Sequence, residues 1–123
     1  MMLNDETLYQ ALERIQKEWG LSDEQIAALA HVDVKTYLGW MEEGRTSVNP
    51  PTIPLGMDTA VPVVSIYKSL LRRFPSSEEE RVKWLFKENA DFGGNKPIDI
   101  AASSVENLFW VSYYLDSYRS KQD

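Results

Sequence analysis

Residues 21–44 read LSDEQIAALAHVDVKTYLGWMEEG, and the punctuation within this stretch decides the fold. Ser22-Asp23-Glu24-Gln25 is a capping-box pattern, in which the serine hydroxyl and the Gln25 side chain can each satisfy a backbone N–H left free where a helix begins. The pattern predicts a short helix through about Ala30, with Ile26 and Ala27 facing inward and the small Ala27 allowing a second helix to come close. His31-Val32-Asp33 interrupts it. Asp33 can cap a third helix running to about Glu43, where Gly44 supplies the stop. Two short helices about a three-residue turn are helix-turn-helix geometry.

Upstream, Leu8, Leu12, Ile15 and Trp19 recur at steps of four, three and four, one stripe of an amphipathic helix, and Gly20 follows where a helix end favours left-handed backbone. Downstream, residues 45–58 (RTSVNPPTIPLGMD) hold three prolines and a glycine, which neither helix nor central strand tolerates. The expected organisation is a first domain over 1–46, a Pro-rich linker over 47–58 and a second domain over 59–123. From Thr59 the pattern is helical again, with Val63, Ile66, Tyr67, Leu70 and Phe74 on one side, Pro62 in the first turn and Pro75 as terminator. Ser77-Glu78-Glu79-Glu80 is a second capping box with acids at the positive end of the helix dipole, and Val82, Leu85 and Phe86 form the inward face of its helix. A polar break from Asn89 to Lys96 contains Gly93-Gly94, whose freedom at positive φ permits a sharp turn that folds Phe92 back onto the core. Pro97 opens a short helix through Ala102. Ser103-Ser104-Val105-Glu106 caps a final one with Val105, Leu108, Phe109 and Leu115 inward, followed by a short polar tail. The fold class expected is all-α: an N-terminal helix-turn-helix bundle followed by a small C-terminal helical domain.

Composition removes most alternatives. At 123 residues, 43% hydrophobic and 26% charged, the chain suits one or two small globular domains rather than a disordered or repetitive assembly. The absence of cysteine excludes disulfides, thiolate catalysis and Cys-based zinc sites, and a lone histidine, His31, gives no basis for a His-rich metal centre or a Ser-His-Asp triad. The Gly-Gly pair lacks the Gly-Lys-Ser/Thr of a phosphate-binding loop. The expectation is a non-enzyme with no cofactor and no metal. No apolar run approaches a bilayer's thickness, and the opening MMLNDETLYQ carries acids where a signal peptide needs bases, so a soluble cytoplasmic protein is expected. Of the net charge of −6, residues 1–50 carry −5 and residues 51–123 carry −1, so the basic excess usual on a nucleic-acid surface is lacking. Lys68, Arg72 and Arg73 continue one helix face, which is either solvated or a contact for an acidic partner.

The stretch from Leu21 to Gly44 resembles the Xre-type helix-turn-helix domain, over roughly residues 6–46. That resemblance implies a recognition helix at about Val34 to Glu43, with Val34, Lys35, Thr36, Tyr37 and Gly39 reaching the major groove of operator DNA and Arg45 joining them. The pattern departs in three places. His31 holds a turn position usually given to glycine, Asp23 and Glu24 stand where a phosphate-contacting Gln or Thr is common, and Gly44 comes one residue late.

The run WLFKENADFGGNKPIDIA (Trp84 to Ala101), followed by an aromatic closing helix, resembles the C-terminal toxin-binding domain of Xre/MbcA/ParS-type antitoxins, from about Val63 to Tyr118. The resemblance implies a homodimeric type II antitoxin that neutralises a cognate toxin, commonly a RES-domain protein that consumes NAD, and autoregulates its operon through its first domain. Trp84, Phe92, Gly93, Gly94 and Pro97 match the pattern, as contacts or as architecture. Independently, the last helix carries Trp110, Tyr113 and Tyr114 beside its inward stripe, so a second side must be buried by a partner or by the domain wrapping around it. The alternative function is a stand-alone transcriptional regulator whose second domain serves dimerisation.

Overall fold

The computed structural model describes residues 7–46 and 58–122, the last five of these by backbone only. The described residues form seven α-helices and one 3-10 turn, without a strand, so the chain is all-α. It divides into two compact units with the boundary between Val64 and Ser65, inside a helix rather than in the Pro-rich segment. No helix of the described residues is long and apolar enough to cross a membrane.

The first unit begins with α1 (Leu8–Trp19), α2 (Asp23–Leu29) and α3 (Val34–Thr46). Thr7 and Gln10 form a capping box at the start of α1, and Ser22 and Gln25 form another at α2. Gly20, at φ 66°, ends α1 with its N–H on the carbonyls of Gln16 and Lys17. Leu12, Ile15, Ile26, Ala27 and Leu29 are buried, and each fully buried aliphatic side chain contributes roughly 1.5–3 kcal/mol. The turn into α3 places His31 at φ 58°, in the left-handed region that a non-glycine residue occupies at a cost. Asp33 then caps α3, accepting the amide of Thr36 at 2.8 Å.

Gly44 does not stop α3, which continues to Thr46. An added Cβ at Gly44 would meet Tyr9 Cγ at 2.2 Å, so the residue sits within the helix where the Tyr9 ring crosses its backbone. A glycine near a helix end has two readings, left-handed terminus or close approach, and spacing alone does not separate them. Arg45 and Thr46 accordingly continue the helix to the expected end of the first domain; residues 47–57, most of the expected linker, lie outside the described residues.

Next comes α4 (Ala60–Arg73), starting one residue later than its pattern suggested, with Pro62 inside the first turn. The second unit takes up α4 from Ser65 and adds α5 (Glu78–Phe86), the 3-10 turn Ala90–Phe92, α6 (Pro97–Ser103) and α7 (Val105–Gln122). Ser77 caps α5 by accepting from the Glu80 amide. The inward residues of α5 are Leu85 and Arg81, with Val82 and Phe86 only half-buried; the Arg81 guanidinium donates to the Phe74 carbonyl at 2.7 Å, which satisfies a free acceptor past the end of α4. Ser104, not Ser103, caps α7 by accepting from the Asn107 amide at 3.0 Å. Its packed face is Leu108, Val111, Ser112 and Leu115. Val105 and Phe109, expected inside, stand exposed and half-buried respectively, because the 108–111–115 repeat fixes the inward direction and leaves 105 and 109 on the flank. Ser69 donates to Asp116 at 2.9 Å and ties α7 to α4 within this unit.

The two helical glycines of α3 separate the two readings experimentally. Gly44→Ala is expected to cost about 1–3 kcal/mol by overpacking against Tyr9. Gly39→Ala, where an added Cβ meets nothing within 4 Å, is expected to stabilise by about 0.5–1 kcal/mol through helix propensity. Urea unfolding of the full chain checks both; equal effects at the two positions would contradict the close contact.

Candidate functional site: an aromatic surface on the second unit

The break between α5 and α6 is a tightly bonded loop. The Asn89 carbonyl accepts the amides of Phe92 and Gly94, the Asn89 amide donates to the Asn95 carbonyl at 3.1 Å, and the Gly93 amide donates to Ala90. Asn89 Oδ1 accepts from the Asp91 amide and Asn95 Nδ2 donates to the Phe92 carbonyl. Gly93 and Gly94 stand at φ 69° and 82°, two consecutive left-handed residues that side chains would strain. Their reversal sends Phe92 inward, where it is 3% exposed, and leaves Asp91 at the surface.

Three further rings gather on Phe92. Trp110 and Tyr114 of α7 lie with centroids 4.9 and 5.0 Å from it, edge to face, and Trp84 of α5 stands at 6.2 Å, perpendicular to it. Trp84 and Tyr114 are 6.3 Å apart. These separations fall in the range where aromatic pairs attract through their quadrupoles, each pair contributing about 0.5–1.5 kcal/mol beyond its buried area. The Tyr114 hydroxyl donates to the Asp91 carboxylate, which ties the loop to α7. Sequence spacing gave no sign of that bond, because its partners lie 23 residues apart.

The structure therefore brings Trp84, Phe92, Trp110 and Tyr114 together, with Gly93 and Gly94 shaping the loop that makes this possible. Phe92 is the base of the group and not a surface residue. Trp110 remains 44% exposed. Tyr113, 63% exposed, lies one turn on along the same outward side of α7, its ring 6.1 Å from that of Phe109. Exposed aromatic area along the outward side of one helix, opposite a packed face, is uncommon on a surface that meets only water.

In the first unit, the residues expected to face DNA are divided. Lys35, Thr36, Gly39 and Arg45 are exposed and Val34 is half-buried. Tyr37 is a correction: it is 1% exposed, since the repeat Tyr37, Trp40, Met41 turns that side of α3 inward. Its hydroxyl donates to Gln16 Oε1 at 2.6 Å, and Gln16 Nε2 donates to Asp23 at 2.8 Å, so one chain of hydrogen bonds joins all three helices. Burial, reinforced by the charges of Asp23 and Glu13, pushes the Tyr37 phenol up to about 12. The Thr36 hydroxyl and amide both bond the Asp33 carboxylate and hold it below the usual carboxylate range, so Thr36 is occupied locally. Leu38, outside the expected set, is 44% exposed. Beside Lys35 and Arg45 stand the exposed acids Glu42 and Glu43, with Asp23 and Glu24 in the first turn of α2, and Arg45 is paired with Glu42 at 3.2 Å. Leu21, Leu38 and Met41 line an open groove of about 540 Å³ here, together with the charged Glu13, Lys17, Asp23 and Arg45.

No family model matches the chain, and no curated protein matches it.

The buried tyrosine has a consequence at high pH. Its raised pKa favours the neutral, folded form, so the stability that Tyr37 supplies is complete below the unfolded value of about 10 and is lost as pH rises through about 12. Tyr37→Phe is expected to remove that loss and to cost about 0.5–1.5 kcal/mol at neutral pH for the missing bond to Gln16. Tyrosinate absorbance of wild type and Tyr37→Phe combined with urea unfolding across the alkaline range checks this; ionisation of Tyr37 at the ordinary phenol value of about 10 would contradict it.

Proposed function

We propose that this chain is a type II antitoxin whose second unit docks on a cognate protein toxin and inhibits it by covering the surface the toxin uses. The observation that carries this reading is the exposure of Trp110 and Tyr113 on a helix whose opposite face is already packed. Tryptophan and tyrosine are the side chains most often found as interface anchors, since they bury a large area with little loss of rotamer entropy. The bonded loop under Phe92 supports it further, because a surface held in one conformation before contact pays less ordering entropy on binding. The resemblance of Trp84–Ala101 to the toxin-binding domain of Xre/MbcA/ParS-type antitoxins points the same way, and a RES-domain toxin that consumes NAD is the partner it implies. The chain acts as a non-enzymatic binding protein in this reading, without cofactor.

Operator DNA and a homodimer belong to the same proposal. The first unit contacts DNA through Lys35, Thr36, Gly39 and Arg45, with Val34 at the edge and Tyr37 withdrawn to the core. The four acids around these residues repel phosphate, which favours repression by the assembled complex, where several copies act together, over binding by a single chain.

Co-expression of the full chain with the product of the neighbouring gene tests the reading. Wild type is expected to co-purify with that protein and to relieve its toxicity. Trp110→Ala and Tyr113→Ala are each expected to weaken the complex by about 30-fold or more, the scale of an interface anchor. Tyr113→Ala should leave the free chain's unfolding free energy within about 0.5 kcal/mol, as for an ordinary surface position. Association unaffected by either substitution, or the absence of any complex, would overturn the proposal.

A further inference from the structure

The aromatic surface has a charge character of its own. Glu106 precedes Trp110 by one helical turn and is exposed on the same side of α7, since residues four apart are neighbours on a helix. The remaining residues three or four positions from Trp110 are Asn107, Tyr113 and Tyr114, none of them basic. Asp91, exposed at the tip of the loop, is bonded to this patch through the Tyr114 hydroxyl. Of the cations on the neighbouring elements, Arg81 is buried against the Phe74 carbonyl, the exposed Lys83 and Lys87 flank Trp84 in sequence, and the exposed Lys96 follows the loop at the start of α6. The Trp110 indole thus has one carboxylate a helical turn before it on α7 and a second bonded to the neighbouring Tyr114, with Phe92 as the apolar base of both rings.

We infer that the Trp110 half of this surface is a recognition site for a cationic side chain, an arginine presented by the docked protein. The guanidinium plane stacks on the indole face, which attracts cations through the ring quadrupole, while its N–H groups reach the carboxylates of Asp91 and Glu106. The chain already makes a contact of the first kind internally, with the Arg73 guanidinium 5.3 Å from the centroid of the Phe74 ring. Arginine suits the site better than lysine because it is planar, weakly hydrated and able to stack and donate at once. This inference rests on the proposed docking role and specifies what the docked protein must present there.

The test titrates the full ¹⁵N-labelled chain with the capped tripeptides acetyl-Gly-Arg-Gly-amide and acetyl-Gly-citrulline-Gly-amide, which share a shape and differ in charge. The arginine peptide is expected to shift the Trp110 indole N–H signal saturably. The citrulline peptide should bind about tenfold or more weakly, and Asp91→Asn or Glu106→Gln should each weaken the arginine peptide by about threefold to tenfold. Equal shifts from both peptides, or no shift of Trp110 with either, would overturn the inference. The two proposals fail separately: a complex lost on Trp110→Ala but indifferent to Asp91→Asn and Glu106→Gln keeps the docking role and removes the arginine, whereas arginine binding without any protein complex does the reverse.

Discussion

The second unit depends on one constraint, the reversal at Gly93 and Gly94 that buries Phe92. Two consecutive left-handed residues cost a side-chain-bearing pair about 1–2 kcal/mol each, and glycine removes that cost. Everything on the surface above follows from where the ring then sits. Trp84, Trp110 and Tyr114 come from two helices far apart in sequence, and they share a patch because each finds an edge or face of the same phenyl ring. The loop's backbone is bonded to itself through Asn89 and Asn95, so the patch is held without help from a ligand. A patch built this way is held in one arrangement from below while Trp110 stays 44% exposed above it.

The first unit is organised by a different device. Its core packs aliphatic side chains together with Tyr9, Trp19, Tyr37 and Trp40, and the Tyr37–Gln16–Asp23 chain of hydrogen bonds fixes α3 against α1 and α2 at its margin. That fixes which side of α3 faces out, and the outward side mixes Lys35 and Arg45 with Glu42, Glu43 and an exposed Leu38. Electrostatics of this kind make DNA contact by a lone chain weak, since each phosphate approached by one cation is also approached by a carboxylate. Repression that arises only in an assembled complex is consistent with such a surface.

Much of this was legible in the residues, and the reasons differ from place to place. The starts of α2 and α5 were readable because capping is a local event: Ser22 and Ser77 each satisfy an amide three residues on, whereas the Thr7 cap of α1 was not singled out and the cap of α7 fell on Ser104, one residue past the expected position. The turn at His31 was readable from its interruption of the apolar repeat, but its left-handed backbone at φ 58° was not. Gly44 was misread because its neighbour Tyr9 is distant in sequence, and Tyr37 because the choice of its face depends on Gln16, another helix away. Among candidate site residues, Trp84, Phe92, Trp110 and Tyr114 did converge, whereas Tyr113 pairs with Phe109 instead of joining them. Asp91 was not foreseen, because its role comes from a bond to Tyr114 that no short spacing reveals.

The chain carries four tryptophans, two buried in the first unit (Trp19, Trp40) and two on the aromatic surface of the second (Trp84, Trp110), so their indole N–H signals report on the two units independently. Recording those four signals for the ¹⁵N-labelled chain, free and saturated with the product of the neighbouring gene, tests the central claim most directly. The account predicts that Trp84 and Trp110 move on binding while Trp19 and Trp40 stay in place; movement confined to Trp19 and Trp40 would contradict it.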